Sequence, residues 1–157
     1  MLKKLFWKDG IDEITDEQLV NEIKQYAINA SGKVFVGSDS MLRGATCKFA
    51  CVIALYDKEA GIAKYFYKKF TTNSIEYKNL QKKILKEVDL SISIACFLTK
   101  NIPDIDIEVH VDIGNTNKNE TKKYVNLIKG WVNSSGYKFK HKPESWASSS
   151  IADWHTK

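Results

Sequence analysis

Four acids in this sequence stand where carboxylates could do chemistry. Asp39 follows three apolar β-formers, Val34, Phe35 and Val36, in the stretch GKVFVGSDSM, and is flanked by Ser38 and Ser40. Asp112 follows Ile107, Val109 and Val111 in the stretch EVHVDIG. An aspartate after a strand is ordinarily a turn or cap residue, because its short side chain bonds nearby backbone. Two at the ends of neighbouring parallel strands are different: like charges brought together need a cation, or one must take a proton. Glu76 and Glu87 offer a third carboxylate, and Asp153 in SSSIADWHTK a fourth. Three or four carboxylates form a hard oxygen set that suits Mg²⁺ or Mn²⁺ rather than zinc.

The surrounding elements must bring these acids together. Thr15-Asp16-Glu17-Gln18 is a capping-box pattern, and Leu19, Ile23, Tyr26 and Ala27 follow it at helical spacing. Residues 33–39 form a short apolar run, expected to be a central strand buried on both faces. Residues 46–56 read as a second strand, DKEAG as a turn, and residues 63–70 as a third strand in an exposed or edge position. A long helix over 74–100, a strand over 106–112, a helix over 118–134, a strand over 137–141 and a helix over 148–157 complete the order. Helices between the later strands predict an α/β fold with a mixed five-stranded sheet, its first and fourth strands parallel. Asp39 and Asp112 then share the carboxyl edge, where open α/β sheets place their sites.

The helical acid has two candidates. A helix beginning at residue 74 puts Glu76 in its first turn, at that same edge. Glu87 lies eleven positions later (87 − 76), on nearly the same side but about 16 Å further along. Glu76 is favoured by position, with Glu87 the alternative if the helix starts late. His110 shares the side of the strand that carries Asp112 and reads as a packed core histidine.

At 157 residues the chain is most simply one domain, residues 1–32 forming an N-terminal helical extension. Its net charge of +5 and pI near 9.0 suit a phosphate-rich partner. The three cysteines include no CxxC pair and read as reduced, buried thiols. No apolar run approaches the ~20 residues of a membrane span, and MLKKLFW is not followed by a secretory core, so a cytoplasmic protein without membrane contact is expected. No P-loop pattern is present.

The strand order, the length and the acids together resemble the ribonuclease H superfamily. VFVGSDS (34–40), KEVDLSISIA (86–95), HVDIG (110–114) and KPESWASSSIADWHTK (142–157) resemble more particularly the bacterial YkuK-type ribonuclease H-like group. The resemblance implies Asp39, Asp112, a helical glutamate (Glu76, alternatively Glu87) and Asp153 as catalytic metal ligands, with His155 sharing or replacing the role of Asp153. It implies two Mg²⁺ or Mn²⁺ ions, ~3.5–4 Å apart, acting on a phosphodiester of RNA, an RNA–DNA hybrid or DNA. Ser40, Lys118, Lys142, Trp146 and His155 are expected to meet substrate, with Lys122, Lys123, Lys138 and Lys140 nearby and Trp154 as a second stacking ring. The other function compatible with these residues is a binding module that keeps the fold without the chemistry.

Overall fold

In the computed structural model, which describes residues 7–30, 33–57, 61–113, 119–142 and 144–157, the chain begins with β1 (Trp7–Asp9), β2 (Asp12–Ile14) and α1 (Asp16–Ala30). Three long strands follow, β3 (Lys33–Arg43), β4 (Thr46–Asp57) and β5 (Gly61–Asn73), and then α2 (Leu80–Asn101). The rest is β6 (Ile107–Val111), α3 (Asn119–Ser134), β7 (Lys138–Lys140), a π-helical segment (Ala147–Ala152) and α4 (Asp153–Thr156). The expected capping box closes: Thr15 N–H donates to Gln18 Oε1 at 2.8 Å and Gln18 N–H to Thr15 Oγ1 at 3.1 Å. No helix among the described residues is long and apolar enough to cross a membrane.

The sheet is mixed, as expected, but has seven strands rather than five, in the order β2-β1-β5-β4-β3-β6-β7. The two extra strands come from residues 7–14, ahead of the helix that the sequence reading placed there alone. β5 is consequently an inner strand, not an edge: Lys8 of β1 pairs antiparallel with Tyr67. β3 and β6 are parallel, in register from Val34↔Ile107 to Ser38↔Val111.

Strand alternation sorts the core onto two faces. Val34 and Val36 of β3, Cys51, Ile53 and Leu55 of β4, and Ile107, Val109 and Val111 of β6 pack under α2 in the larger cluster. Phe35, Ala50, Val52 and Ala54 face the other way, against Ala147 and Ala152 of the C-terminal segment. Cys47 and Cys51 are buried as expected, whereas Cys96 is exposed on α2. α2 is amphipathic, and Cys96 falls on its outward side.

Two boundaries differ from the sequence reading, and both bear on the site. β3 does not stop at Asp39 but runs four residues further, to Arg43, paired with β4 throughout. α2 begins at Leu80 rather than 74. Ser74 is bound to the turn between β3 and β4 instead, its N–H on the Ala45 carbonyl at 3.0 Å and its hydroxyl on the Gly44 carbonyl at 2.9 Å. Asn79 then caps the helix, its side chain accepting from Lys82 N–H at 3.1 Å.

Candidate active site

The alternation of Gly-Ser-Asp-Ser decides what each residue can touch. Ser38 and Ser40 point toward α2, where Ser91 donates to Ser38 at 2.8 Å and Ser40 donates to Glu87 Oε1 at 2.5 Å. Asp39, between them, faces the C-terminal segment, and its Oδ2 lies 3.4 Å from the donating Thr156 hydroxyl. One step beyond the Ser38↔Val111 pair, Asp112 continues the face of β6 that carries His110, which is the face of Asp39. Asp153, at the start of α4, is on this side too, near enough to act on Asp39. Three of the four expected acids therefore gather on one face of the sheet.

Their electrostatics follow from that crowding. Asp39 is almost wholly buried, and burial first, then the charges of Asp112 and Asp153, push its pKa up to about 7. Lysines supply part of the missing counter-charge. Lys142 Nζ stands 2.9 Å from Asp112 Oδ1, and Lys157 Nζ stands 3.1 Å from Asp153 Oδ2. Asp112 is the main reason the Lys142 pKa is raised, and Asp39 and Asp153 add to it, so one ammonium lies in the field of all three.

Of the two helical glutamates, Glu87 is the buried one. Glu76 is exposed in the 3-10 turn before α2. Glu87 is buried, bonded to Ser40 and 3.8 Å from Lys83 Nζ, with a pKa that burial pushes up to about 8. The two boundary corrections explain the placement. β3 carries the sheet edge some 13 Å past Asp39, at ~3.3 Å per residue. Descending from that edge at ~1.5 Å per residue, α2 needs about seven residues to come level with Ser40, and the seventh residue after Leu80 is Glu87. Glu87 nonetheless approaches from the opposite face of β3; Asp39 and Asp112 reach it as charges that raise its pKa.

The other expected residues divide. Lys142 is at the cluster, and Ser40 holds Glu87. Lys118 lies outside the described residues. Trp146 is not at the acids: it packs against Phe35, His110 and Tyr56, ring centroids 4.7, 5.1 and 5.7 Å away, closing the second core. His155 does not join Asp153 either, because residues two apart on a helix point in different directions. It is buried, stacked on Tyr67 at 3.9 Å and 3.2 Å from the Tyr65 hydroxyl, and burial lowers its pKa. Both rings are engaged inside the fold, although His155 also lines a surface depression beside Trp154.

Two contributors, Thr156 and Gly37, escaped the sequence reading, and a third, His110, is the packed core histidine it expected. Thr156 touches Asp39. Gly37 makes room for the C-terminal segment: a Cβ there would lie 2.6 Å from Ser148 N and 2.7 Å from the Ala147 carbonyl carbon. His110 pins the same segment, since its Nδ1 accepts from Ala147 N–H at 3.1 Å and its Nε2 meets Glu108 Oε1 at 3.0 Å. Burial lowers the His110 pKa, which agrees with a neutral ring whose Nδ1 accepts. The spacing of Gly37 and His110 to the acids, two residues each, was the available signal. For His110→Ala we expect loss of this clamp and a drop in stability on the order of 1–3 kcal/mol, read as a lowered denaturation midpoint; an unchanged midpoint would show that the clamp is idle.

These carboxylates fit a divalent cation in donor type and in charge. The fit is one of chemistry rather than of a finished cage. Among the described residues no three His, Cys, Asp or Glu side chains already stand as a metal-holding group.

A family model described as ribonuclease H-like matches residues 17–157. Among solved structures, RNase H1 from the halophilic archaeon Halobacterium salinarum matches at 15% identity, covering 74% of this chain and 89% of that one, with a TM-score of 0.37. The N-terminal RNase H domain of a Mycobacterium tuberculosis protein, solved as a fusion with maltose-binding protein, matches at 8% identity, covering 80% and 94%, with a TM-score of 0.38. No curated protein matches.

Proposed function

The chain belongs to the ribonuclease H-like family, and from that premise we propose that it is a divalent-metal-dependent nuclease. Its substrate is RNA, an RNA–DNA hybrid or DNA. Asp39, Asp112 and Asp153 are the metal-holding acids, with Glu87 in place of Glu76 as the helical carboxylate. Within the family we place it in the YkuK-type group on its Lys-Pro-Glu-Ser-Trp and His-Thr-Lys segments, as one cytoplasmic domain. The observation that carries the reading is the buried Asp39, facing Asp112 and Asp153 across one sheet face with its pKa pushed up to about 7.

Mg²⁺ or Mn²⁺ held by these acids would polarise an attacking water and offset charge on the leaving oxygen of a phosphodiester. The chain's own residues do the rest. Asp39 must surrender the proton that crowding now holds on it, and Thr156 limits how its carboxyl turns. Lys142 and Lys157, which neutralise Asp112 and Asp153 here, are the cations best placed to meet a substrate phosphate. Ser40 fixes the Glu87 carboxyl.

The strand itself would lie beside Trp154, which is 70% exposed and shares a surface depression with Lys69, His155 and Lys157. An open indole flanked by ammonium groups is a stacking platform for an unpaired base. Trp154→Ala is therefore expected to weaken binding of a single-stranded oligonucleotide by about 1–3 kcal/mol in a titration at fixed salt. Equal affinity for both proteins would remove Trp154 from the interface.

A second reading, a binding module without chemistry, is favoured by the lysines seated on the acids. Incubation of the purified chain with labelled RNA, hybrid and DNA, with and without Mn²⁺, separates the two. The nuclease reading expects metal-dependent cleavage, slowed on the order of 10–100-fold in Glu87→Gln and unchanged in Glu76→Gln. No turnover at high protein concentration, with salt-sensitive binding intact, would leave the binding module.

A further inference from the structure

On the α2 face of the sheet, away from the acids, lies a cavity of about 390 Å³ that the proposed nuclease activity does not use. Its walls are large and apolar: Trp7 of β1, Phe70 of β5, and Leu90, Ile94 and Phe97 of α2. The volume is at the lower end of the range for small-molecule pockets. One wall group is out of character. β5 alternates Phe66, Lys68 and Phe70 toward α2, so the strand directs a lysine to where its two neighbours on that face are phenylalanines.

Lys68 makes no ion pair among the described residues; its ammonium lies 4.8 Å over the Trp7 ring. Asp16 and Lys86 also line the cavity; Asp16 acts on Lys68 only at a distance, and Lys86 Nζ stands 3.9 Å from the half-exposed Asp89. Ammonium groups are rarely left among apolar walls without a counter-ion, because desolvation penalises the charge. A neutral apolar ligand would leave that penalty in place, and a cation would add to it.

We infer that this cavity binds an amphipathic monoanion, its apolar body between Trp7, Phe70 and the α2 side chains and its carboxylate or sulfonate head on the Lys68 ammonium. Lys86, also in the lining, adds a second positive charge. Burial holds the Lys68 pKa below its ordinary value, a penalty that the arriving head group would relieve. The polar requirement is a single head group, and the five apolar side chains supply the affinity through area removed from water.

The test uses the full chain and 8-anilinonaphthalene-1-sulfonate, an aromatic sulfonate that fluoresces when sheltered from water. Saturable binding of one probe per folded chain is expected. Decanoate should displace it, and decanol at the same concentration should not. Lys68→Met keeps the length and apolar bulk of the side chain and is expected to weaken the probe at least tenfold, with the thermal midpoint unchanged or raised. Leu90→Trp fills the cavity and should block the probe without removing charge. Probe binding that is absent from the folded protein, unaffected by Lys68→Met, or displaced equally by decanol would overturn the assignment. None of these readouts depends on nuclease activity.

Discussion

Asp39→Asn is expected to lower metal-dependent cleavage by roughly a thousandfold or more while making the protein more stable at pH 8. The loss follows from removing a carboxylate that would hold the cation, an interaction supplying several kcal/mol of charge stabilisation, at about 1.4 kcal/mol per tenfold in rate. The gain follows from the acid's own discomfort. Its ordinary pKa is 3.8, and in the folded chain it is about 7, so the folded state holds the proton more tightly than the unfolded state does. Stability tied to that proton is complete below the unfolded value and is lost as pH rises toward 7. Glu87, raised from 4.5 to about 8, has the same sign over a slightly higher window.

The stability tied to these two acids should therefore fall between about pH 4 and pH 8, by an amount on the order of a few kcal/mol, while the lowered pKa values of His110 and His155 act in the opposite direction below about pH 6.5. An asparagine, which carries no charge, escapes the part that belongs to Asp39. In a domain of this size a single kcal/mol moves the melting temperature by about 2–4 °C. Melting curves of both proteins across pH, with and without Mn²⁺, check the whole argument. Mn²⁺ should raise the midpoint of the wild type at pH 8 and leave that of Asp39→Asn nearly unmoved. A variant that melts lower than the wild type at pH 8, or that responds to Mn²⁺ equally, would show that Asp39 is neither crowded nor a metal ligand.

Gly37→Ala has the second largest expected effect, and it acts without touching any acid. The added Cβ meets backbone at 2.6 and 2.7 Å, and backbone cannot swing aside as a side-chain tip can. The stretch from Ala147 must lift off β3, and it carries Asp153 and Thr156 with it. Overpacking of this kind typically costs about 1–3 kcal/mol. Displacing a reacting group by about 1 Å can cost on the order of a hundredfold in rate. Cleavage assays beside denaturation curves would show both losses. Wild-type cleavage from the alanine variant would mean that the C-terminal segment does not need this close approach.

The C-terminal segment is unusual for a physical reason that the same contact makes plain. The Ser145 carbonyl accepts from the N–H groups of Ser148 and Ser149, at 3.1 and 2.9 Å, and from both their hydroxyls, at 3.0 and 2.8 Å. Asp153 N–H reaches back to the carbonyl of Ser148, five residues away. A widened π turn results, of a kind often found at functional sites. Together with His110 and Gly37 it sets the position from which α4 presents Asp153.

What the sequence determined by itself was everything written in short periods. The alternation of Val34, Phe35, Val36, Gly37, Ser38 and Asp39 is sufficient to put the aspartate and the serines on opposite faces, and the parallel pairing of residues 34–38 with 107–111 follows from helices separating the later strands. That was enough to bring Asp39 and Asp112 onto one edge. That Glu87 and not Glu76 comes level with Ser40 is a different kind of fact. It depends on how far β3 overruns Asp39 and on where α2 starts, and both are decided by a hairpin turn that binds Ser74 across thirty residues of chain. The lysines resting on the acids, the rings that enclose Trp146 and His155, and the two strands added from residues 7–14 belong to the same class. Local patterns state which way a side chain points; only long-range packing states how far along its element it meets another.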